Sequence, residues 1–232
     1  MASKGIGVNK LEEKNVLFGL LNRVKFGETV LIESDASYIS EFMVLGILKY
    51  AREHEIPVVI DDNFDTLHLI KIHLGILGIE EDFKDVYVIK TGGIIDVGNV
   101  VARVSLSSEP TSYVLKYKKA SQEVFKNIEK SMNIVLGLEK LFYFTKEPVE
   151  FYTLIGSIGS FIGNKNRKSF YILNRKIAEG APINPLPELE RIATGVIDAT
   201  PYESSASLRL KKFGDIDLVG KSLIMNMKDL VG

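Results

Sequence analysis

The chain of 232 residues has no cysteine and no tryptophan. Without thiols there is no disulfide, no thiolate metal site and no cysteine nucleophile. Neither sign of charge is in surplus: 29 Lys and Arg meet 30 Asp and Glu, a net of −1. Nucleic-acid binding usually shows as a basic excess, so it is not expected here. No apolar run approaches the ~18 residues of a membrane span. The opening MASKGIGVNKLEEKN lacks the apolar stretch of a secretory signal. The expectation is a cytoplasmic protein with no membrane partner. Histidine is scarce too: His54, His68 and His73 are the only three. His68 and His73 miss the i, i+4 spacing that stacks two metal ligands on one helical face, so no metal is expected. The remaining composition is ordinary, 46% hydrophobic and 25% charged, enough to bury a sizeable core in one α/β domain over 1–232.

Hydrophobic periodicity divides the chain into alternating elements. Leu11, Val16, Leu17, Leu20, Leu21 and Val24 have helical spacing, and Phe26-Gly27-Glu28 turns the chain into an apolar strand over 29–33. A helix then runs to about His54, with Pro57 as its stop. IPVVIDDN (56–63) reads as a strand buried on both faces of a parallel sheet. A helix over 64–77 follows, closed by Gly78, and then strands at 85–90 and 100–106. Beyond these come a helix over 113–130, an apolar strand within 132–144, a helix over 148–163 and a strand over 168–174. GAPINPLP leads into a short helix at 188–193, and 196–232 alternates short strands with Gly turns as an antiparallel extension. Strands alternating with helices predict right-handed crossovers, a mostly parallel sheet and helices on both faces.

The most informative stretch is VLIESDASYISEFMVLGILKYA (30–51), a strand, a polar turn and a helix. Phosphate-binding loops occupy such a place with G-x-x-x-x-G-K-[ST], in which bare backbone wraps the phosphates while Lys and a hydroxyl meet charge and Mg²⁺. Laid over this stretch, the two glycines become Ser34 and Ile39, the lysine becomes Ser40 and the hydroxyl residue becomes Glu41. Ile is among the worst residues for positive φ. Glu33, Asp35 and Glu41 would put carboxylates near the phosphates, at a cost on the order of 1–4 kcal/mol per like-charge contact at ~4 Å. The segment Ser34, Asp35, Ala36, Ser37, Tyr38, Ile39, Ser40, Glu41 therefore reads as a vestigial phosphate loop.

The order of elements resembles the RecA-type ATPase core, more closely its KaiC-like branch, through LLNRVKFGETVLIES, EHEIPVVIDDN, HLGILGIEEDFKDVYVIK and LERIATGVIDATPYESSASLRLKKFG. It is also similar to a small family of uncharacterised archaeal proteins from hyperthermophiles. The resemblance implies a three-layer RecA-like P-loop NTPase fold with antiparallel C-terminal strands, and side-by-side self-association. The Walker B strand of that core corresponds to IVLGLEKL, where Gly137 stands in place of the Mg²⁺-binding Asp and Glu139 follows two residues on. On a continuing strand Glu139 would share the face of Gly137 and offer a substitute; the competing reading makes it a surface or capping residue. Asp61 and Asp62 mimic the same motif and stand where dinucleotide folds keep a ribose-binding acid. Alternatively, Asp62 or Asn63 caps the helix over 64–77.

Other features carry less. TGGIIDVG (91–98) is a turn or a loop at the sheet edge. The small residues of GSIGSFIG (156–163) suit helix packing or a subunit contact. Lys165, Arg167, Lys168 and Arg175 read as a solvated basic rim. No G-x-S-x-G elbow places a Ser nucleophile. The expectation is a catalytically inactive RecA/KaiC-like module without cofactor. It would act by binding a second copy of itself or a protein or peptide, the latter along a sheet edge formed by SASLRLKK and SLIMNM. The alternative is a nucleotide-binding or hydrolysing enzyme rebuilt around Asp61, Asp62 and Glu139.

Overall fold

The computed structural model describes residues 15–35, 37–106 and 110–231. Asn15 caps helix α1 (Val16–Arg23) by accepting the Leu17 N–H at 2.9 Å; Leu11 of the expected helix lies outside the described residues.

Nine strands share one sheet: β1 (Thr29–Ser34), β2 (Val58–Asn63), β3 (Tyr87–Thr91), β4 (Asn99–Val104), β5 (Ser131–Leu136), β6 (Arg167–Asn174), β7 (Gly195–Tyr202), β8 (Ser205–Lys212) and β9 (Ser222–Asn226). Their order is β4-β3-β2-β5-β6-β1-β7-β8-β9. Every pairing from β4 to β7 is parallel, and β7, β8 and β9 pair antiparallel. Strands β1, β2 and β5 are buried at every position, as continuous apolar runs demand when helices cover both faces.

Side-chain alternation along β1 separates the two cores. Val30 and Ile32 join a cluster with α1, α2 (Ile39–Glu53) and α3 (Thr66–Ile76). Leu31 joins a second cluster on the opposite face, with α4 (Pro110–Phe125), α5 (Pro148–Gly159), α6 (Arg175–Glu179) and α7 (Leu186–Ile192). Among the described residues no helix is long and apolar enough to cross a membrane.

Three local expectations are corrected. The strand expected within 132–144 is β5, but it does not continue through Glu139: it stops at Leu136, because Gly137 takes φ +68° and the chain enters a 3₁₀ helix, Leu138–Phe144. The basic rim is solvated only in part: Lys165 is exposed and Arg175 half-buried, but Arg167 and Lys168 are 3% and 6% exposed. They begin β6, which lies between β5 and β1, so alternation sends them into opposite cores. Arg167 lies over the Phe161 and Phe125 rings and donates to Asn133 Oδ1 at 3.2 Å. Lys168 Nζ donates to the Leu21 carbonyl at 3.0 Å, and burial lowers its pKa. Close helix packing at 156–163 finds no support in Gly156, Gly159 or Gly163, each of which has open space where a Cβ would stand. Of the two tail segments, SASLRLKK is β8 and is paired on both sides, which leaves β9 at the edge.

Candidate functional site

The C-terminal ends of β1, β5 and β6 open into a cleft of about 480 Å³, walled by the turn after β1, by α3 and by the segment that follows β5. Open α/β sheets place their ligands at such a position. Ser34 ends β1, and its Oγ lies 3.1 Å from Ser40 Oγ. Asp35, Ser37 and Tyr38 make the turn, with Ala36 outside the described residues, and none of the described turn residues has positive φ. Ile39 is instead the first residue of α2 and is 1% exposed. A β-branched side chain is at ease there, where a wrapping phosphate loop would have strained it.

Glu41 sits in the first turn of α2, where the helix dipole favours negative charge. Its Oε1 lies 2.6 Å from His73 Nδ1 of α3, and the Tyr38 ring meets the His73 imidazole edge-on at 5.7 Å. The protein's own carboxylate thus occupies a helix terminus that would otherwise receive an anion. Glu139 also lines the cleft. It is 4% exposed, so neither a surface residue nor a companion of Gly137 on a strand face. Burial raises its pKa, against the opposing pull of its own backbone N–H, of the Lys140 charge and of the Asn174 N–H at 3.4 Å. Lys140 is engaged nearby, its Nζ donating to Thr66 Oγ1 at 2.9 Å.

The other acids lie elsewhere. Glu33 points to the face opposite Ser34, with Lys211 Nζ at 3.4 Å and Arg175 at 3.8 Å. Arg175 also pairs with Asp198, and Lys211 with Glu190. Of the three carboxylates expected near the phosphates, Glu33 has therefore turned away. Burial, reinforced by the Glu190 carboxylate and opposed by Lys211, pushes its pKa from 4.5 up to about 7. A carboxyl raised on folding keeps its proton longer in the native state, so its contribution to stability falls as pH climbs from about 4.5 to about 7. Asp61 and Glu139, both raised by burial, act with the same sign. Melting temperatures across this window should fall less steeply for Glu33→Gln than for the native chain. Parallel curves would show that Glu33 does not titrate there.

Asp61 faces the α4–α5 side, 3% exposed, accepting from Tyr117 Oη at 2.9 Å and Asn133 Nδ2 at 2.7 Å. It borders a separate cavity of about 40 Å³, sized for little more than ordered water. Asp62, the next residue, faces the other way. Its Oδ1 accepts the Leu67 N–H at 2.9 Å, capping α3, and its Oδ2 takes Lys90 Nζ at 2.9 Å. Asp61, Asp62 and Glu139 are therefore not brought to one site, and among the described residues no group of three or more His, Asp or Glu is arranged to hold a metal. The turn 91–98 is pinned by Asp65, which accepts the N–H groups of Ile94 and Ile95 at 2.9 and 3.0 Å.

Sequence spacing did not disclose His73, Lys140 or Asn174. His73 meets Glu41 from 32 residues away, a pairing made only by the packing of α3 beside α2, which no sequence period encodes.

Residues 19–224 match the family described as "Pyrococcus protein of unknown function, DUF257". The chain belongs to that family. A solved Pyrococcus horikoshii OT3 protein, described as a structural study of project PH0250, is 26% identical, covers 88% of this chain and 95% of its own, and has a TM-score of 0.71. The KaiC-like protein PH0186 from the same organism is 14% identical, covers 85% and 84%, and has a TM-score of 0.59. Comparison with curated proteins gives no match. The DUF257 chain thus has a RecA-like fold.

Proposed function

We propose that this DUF257 protein is a RecA-like module that does not hydrolyse nucleotide and that works by binding, first of all to a second copy of itself. The observation that carries the reading is Glu41, a buried carboxylate held by His73 in the first turn of α2. A triphosphate entering the cleft would meet Glu41, Asp35 and Glu139, each close contact costing on the order of 1–4 kcal/mol. Ser40 supplies no compensating charge. The rebuilt acidic enzyme is the weaker reading, because Asp61 is committed to Tyr117 and Asn133 and Asp62 to Lys90 and the α3 cap.

The binding half of the reading rests on α3, which exposes Leu69, Ile72 and Ile76 to 50%, 47% and 71%. Their i, i+3, i+7 spacing puts them on one helical face, and apolar patches of this kind mark contact surfaces. Calorimetry with ATP and ADP, with and without Mg²⁺, should give no saturable heat at millimolar nucleotide. Sedimentation equilibrium should give a mass above the monomer that falls in Ile72→Glu. Saturable nucleotide binding would reject the first half. A monomeric native chain would reject self-association and turn attention to a peptide strand along β9.

A further inference from the structure

One face of α3 lies along the cleft. Thr66, Leu69, Ile70 and His73 all line it, and their i, i+3, i+4, i+7 spacing is that of a single helical stripe. The stripe is polar at each end and apolar between. At the first end Thr66 Oγ1 accepts from Lys140 Nζ at 2.9 Å, which leaves that half-buried ammonium two N–H groups to give. At the other end the buried Glu41 carboxylate holds His73 Nδ1 at 2.6 Å. The His73 side chain is 41% exposed, and its Nε2 has no partner among the described residues. At the rise of an α-helix, the seven residues from Thr66 to His73 set the two ends about 10 Å apart. Other segments add to the lining. Asn174 spends Oδ1 on the Ile177 N–H at 3.1 Å and keeps Nδ2 for a ligand. The Tyr38 ring is 43% exposed, and Leu136 and Ile177 extend the apolar wall.

The charges around the cleft already have partners. Glu41 is paired with His73, Asp35 acts on the Arg175 guanidinium, and the Lys140 charge acts on Glu139. The oxygens these acids have to spare are buried and reach no ligand, while their field opposes an anion. What the accessible groups can meet is a hydroxyl, which donates to an imidazole nitrogen and accepts from an ammonium or an amide. Small-molecule sites combine an apolar wall with a few such polar groups, and about 480 Å³ is within their range. A sugar ring matches both parts, with hydroxyls around its rim and C–H groups on its faces.

We infer that the cleft binds a neutral disaccharide lying along α3, with a hydroxyl of one ring on His73 Nε2, a hydroxyl of the other on Lys140 Nζ, and its C–H faces against the Tyr38 ring and the apolar stripe. Asn174 Nδ2 supplies a further donor. A single sugar ring is too short to engage both ends of the stripe at once.

Maltose, cellobiose and lactose, titrated separately into the intact protein beside glucose and adenosine as controls, test this. At least one disaccharide should bind saturably, one per chain and more tightly than glucose. Added salt should leave its affinity unchanged, because a neutral ligand has no charge to screen. His73→Gln and Tyr38→Ala should each weaken binding on the order of ten-fold, the loss of one hydrogen bond or one ring contact. His73→Gln takes the partner from Glu41, so the melting temperature of each variant is checked first. Tyr38 is 43% exposed, and its variant serves even if His73→Gln perturbs folding. Absence of saturable binding by all three disaccharides overturns the proposal. So does affinity retained in both variants, glucose binding as tightly as the best disaccharide, or adenosine binding more tightly than any of them. A separate ATP titration reports on the non-hydrolysing reading, which can fail while the sugar result stands.

Discussion

Replacing Lys90 by Met should cost on the order of 3–5 kcal/mol of folding free energy, the usual loss when one partner of a buried ion pair is removed. Lys90 projects from β3 and is 1% exposed, and its Nζ donates to Asp62 Oδ2 at 2.9 Å and Asp65 Oδ1 at 2.5 Å. Burial alone would lower the pKa of this ammonium, but the hydrogen bonds it donates to Asp65 and Asp62 outweigh it and hold the pKa raised. The two acids have further duties. Asp62 caps α3 through the Leu67 N–H, and Asp65 ties down the turn at Ile94 and Ile95. Phe64 and Asp65 both have positive φ, 57° and 56°, so the segment is strained and held in place by these bonds. Removing the ammonium leaves two neighbouring carboxylates uncompensated at the junction of β2, α3 and the 91–98 turn. Urea denaturation of Lys90→Met measures the loss. Adding Asp62→Asn should recover part of it, since a neutral amide tolerates a dry site better than an unpaired charge, and the double-mutant cycle gives the coupling. A loss under about 1 kcal/mol, the range of exposed pairs, would show that water reaches Lys90 and that the junction is not dry.

The same residues show how far the sequence could be read. The layered α/β order was legible because burial on both faces leaves apolar runs such as the VVI that opens β2, while the covering helices keep their periodicity. The position of the cleft was legible too, as the strand, turn and helix of 30–51. What was not legible came from side chains meeting across the fold. Charge at 167–168 reads as solvated until β6 is known to be central and Phe125 and Phe161 are known to pack over Arg167. Glu41 and His73 share no spacing rule. The fate of Glu33 was available in principle, since period-two alternation requires Glu33 and Ser34 to face apart. Gly137 was the hardest, because a single glycine in an apolar run looks like a strand residue and only its dihedral reveals a break.

That glycine provides the second large effect. Gly137→Asp puts an acid where the resemblance to the RecA-type core aligns its Mg²⁺-binding Asp, yet it should destabilise the protein by roughly 2–6 kcal/mol and yield no Mg²⁺-dependent nucleotide binding. The estimate combines about 1–3 kcal/mol for a side chain in the left-handed region with about 1–3 kcal/mol for overpacking. Gly137 has φ +68° and ψ 19°. A Cβ there would run into Thr66 Oγ1 and approach the Asn63 carbonyl oxygen to 2.6 Å. Neither neighbour is free to yield. Thr66 Oγ1 donates to that same carbonyl at 2.5 Å and accepts Lys140 Nζ at 2.9 Å, and Asn63 Nδ2 donates to the Leu136 carbonyl at 2.7 Å. The contacts stitch the ends of β2 and β5 together through the space that an aspartate would need. Melting temperature and nucleotide calorimetry on Gly137→Asp test the two halves of the prediction. Relief in Gly137→Asp combined with Thr66→Ala would trace the strain to the hydroxyl contact. An undiminished melting temperature together with new Mg-ATP binding would mean that the end of β5 can relax into a cation-binding turn. The glycine would then be the residue that decides whether a cation can bind at the end of β5, whereas the packing around it argues that the backbone here has no room for an aspartate.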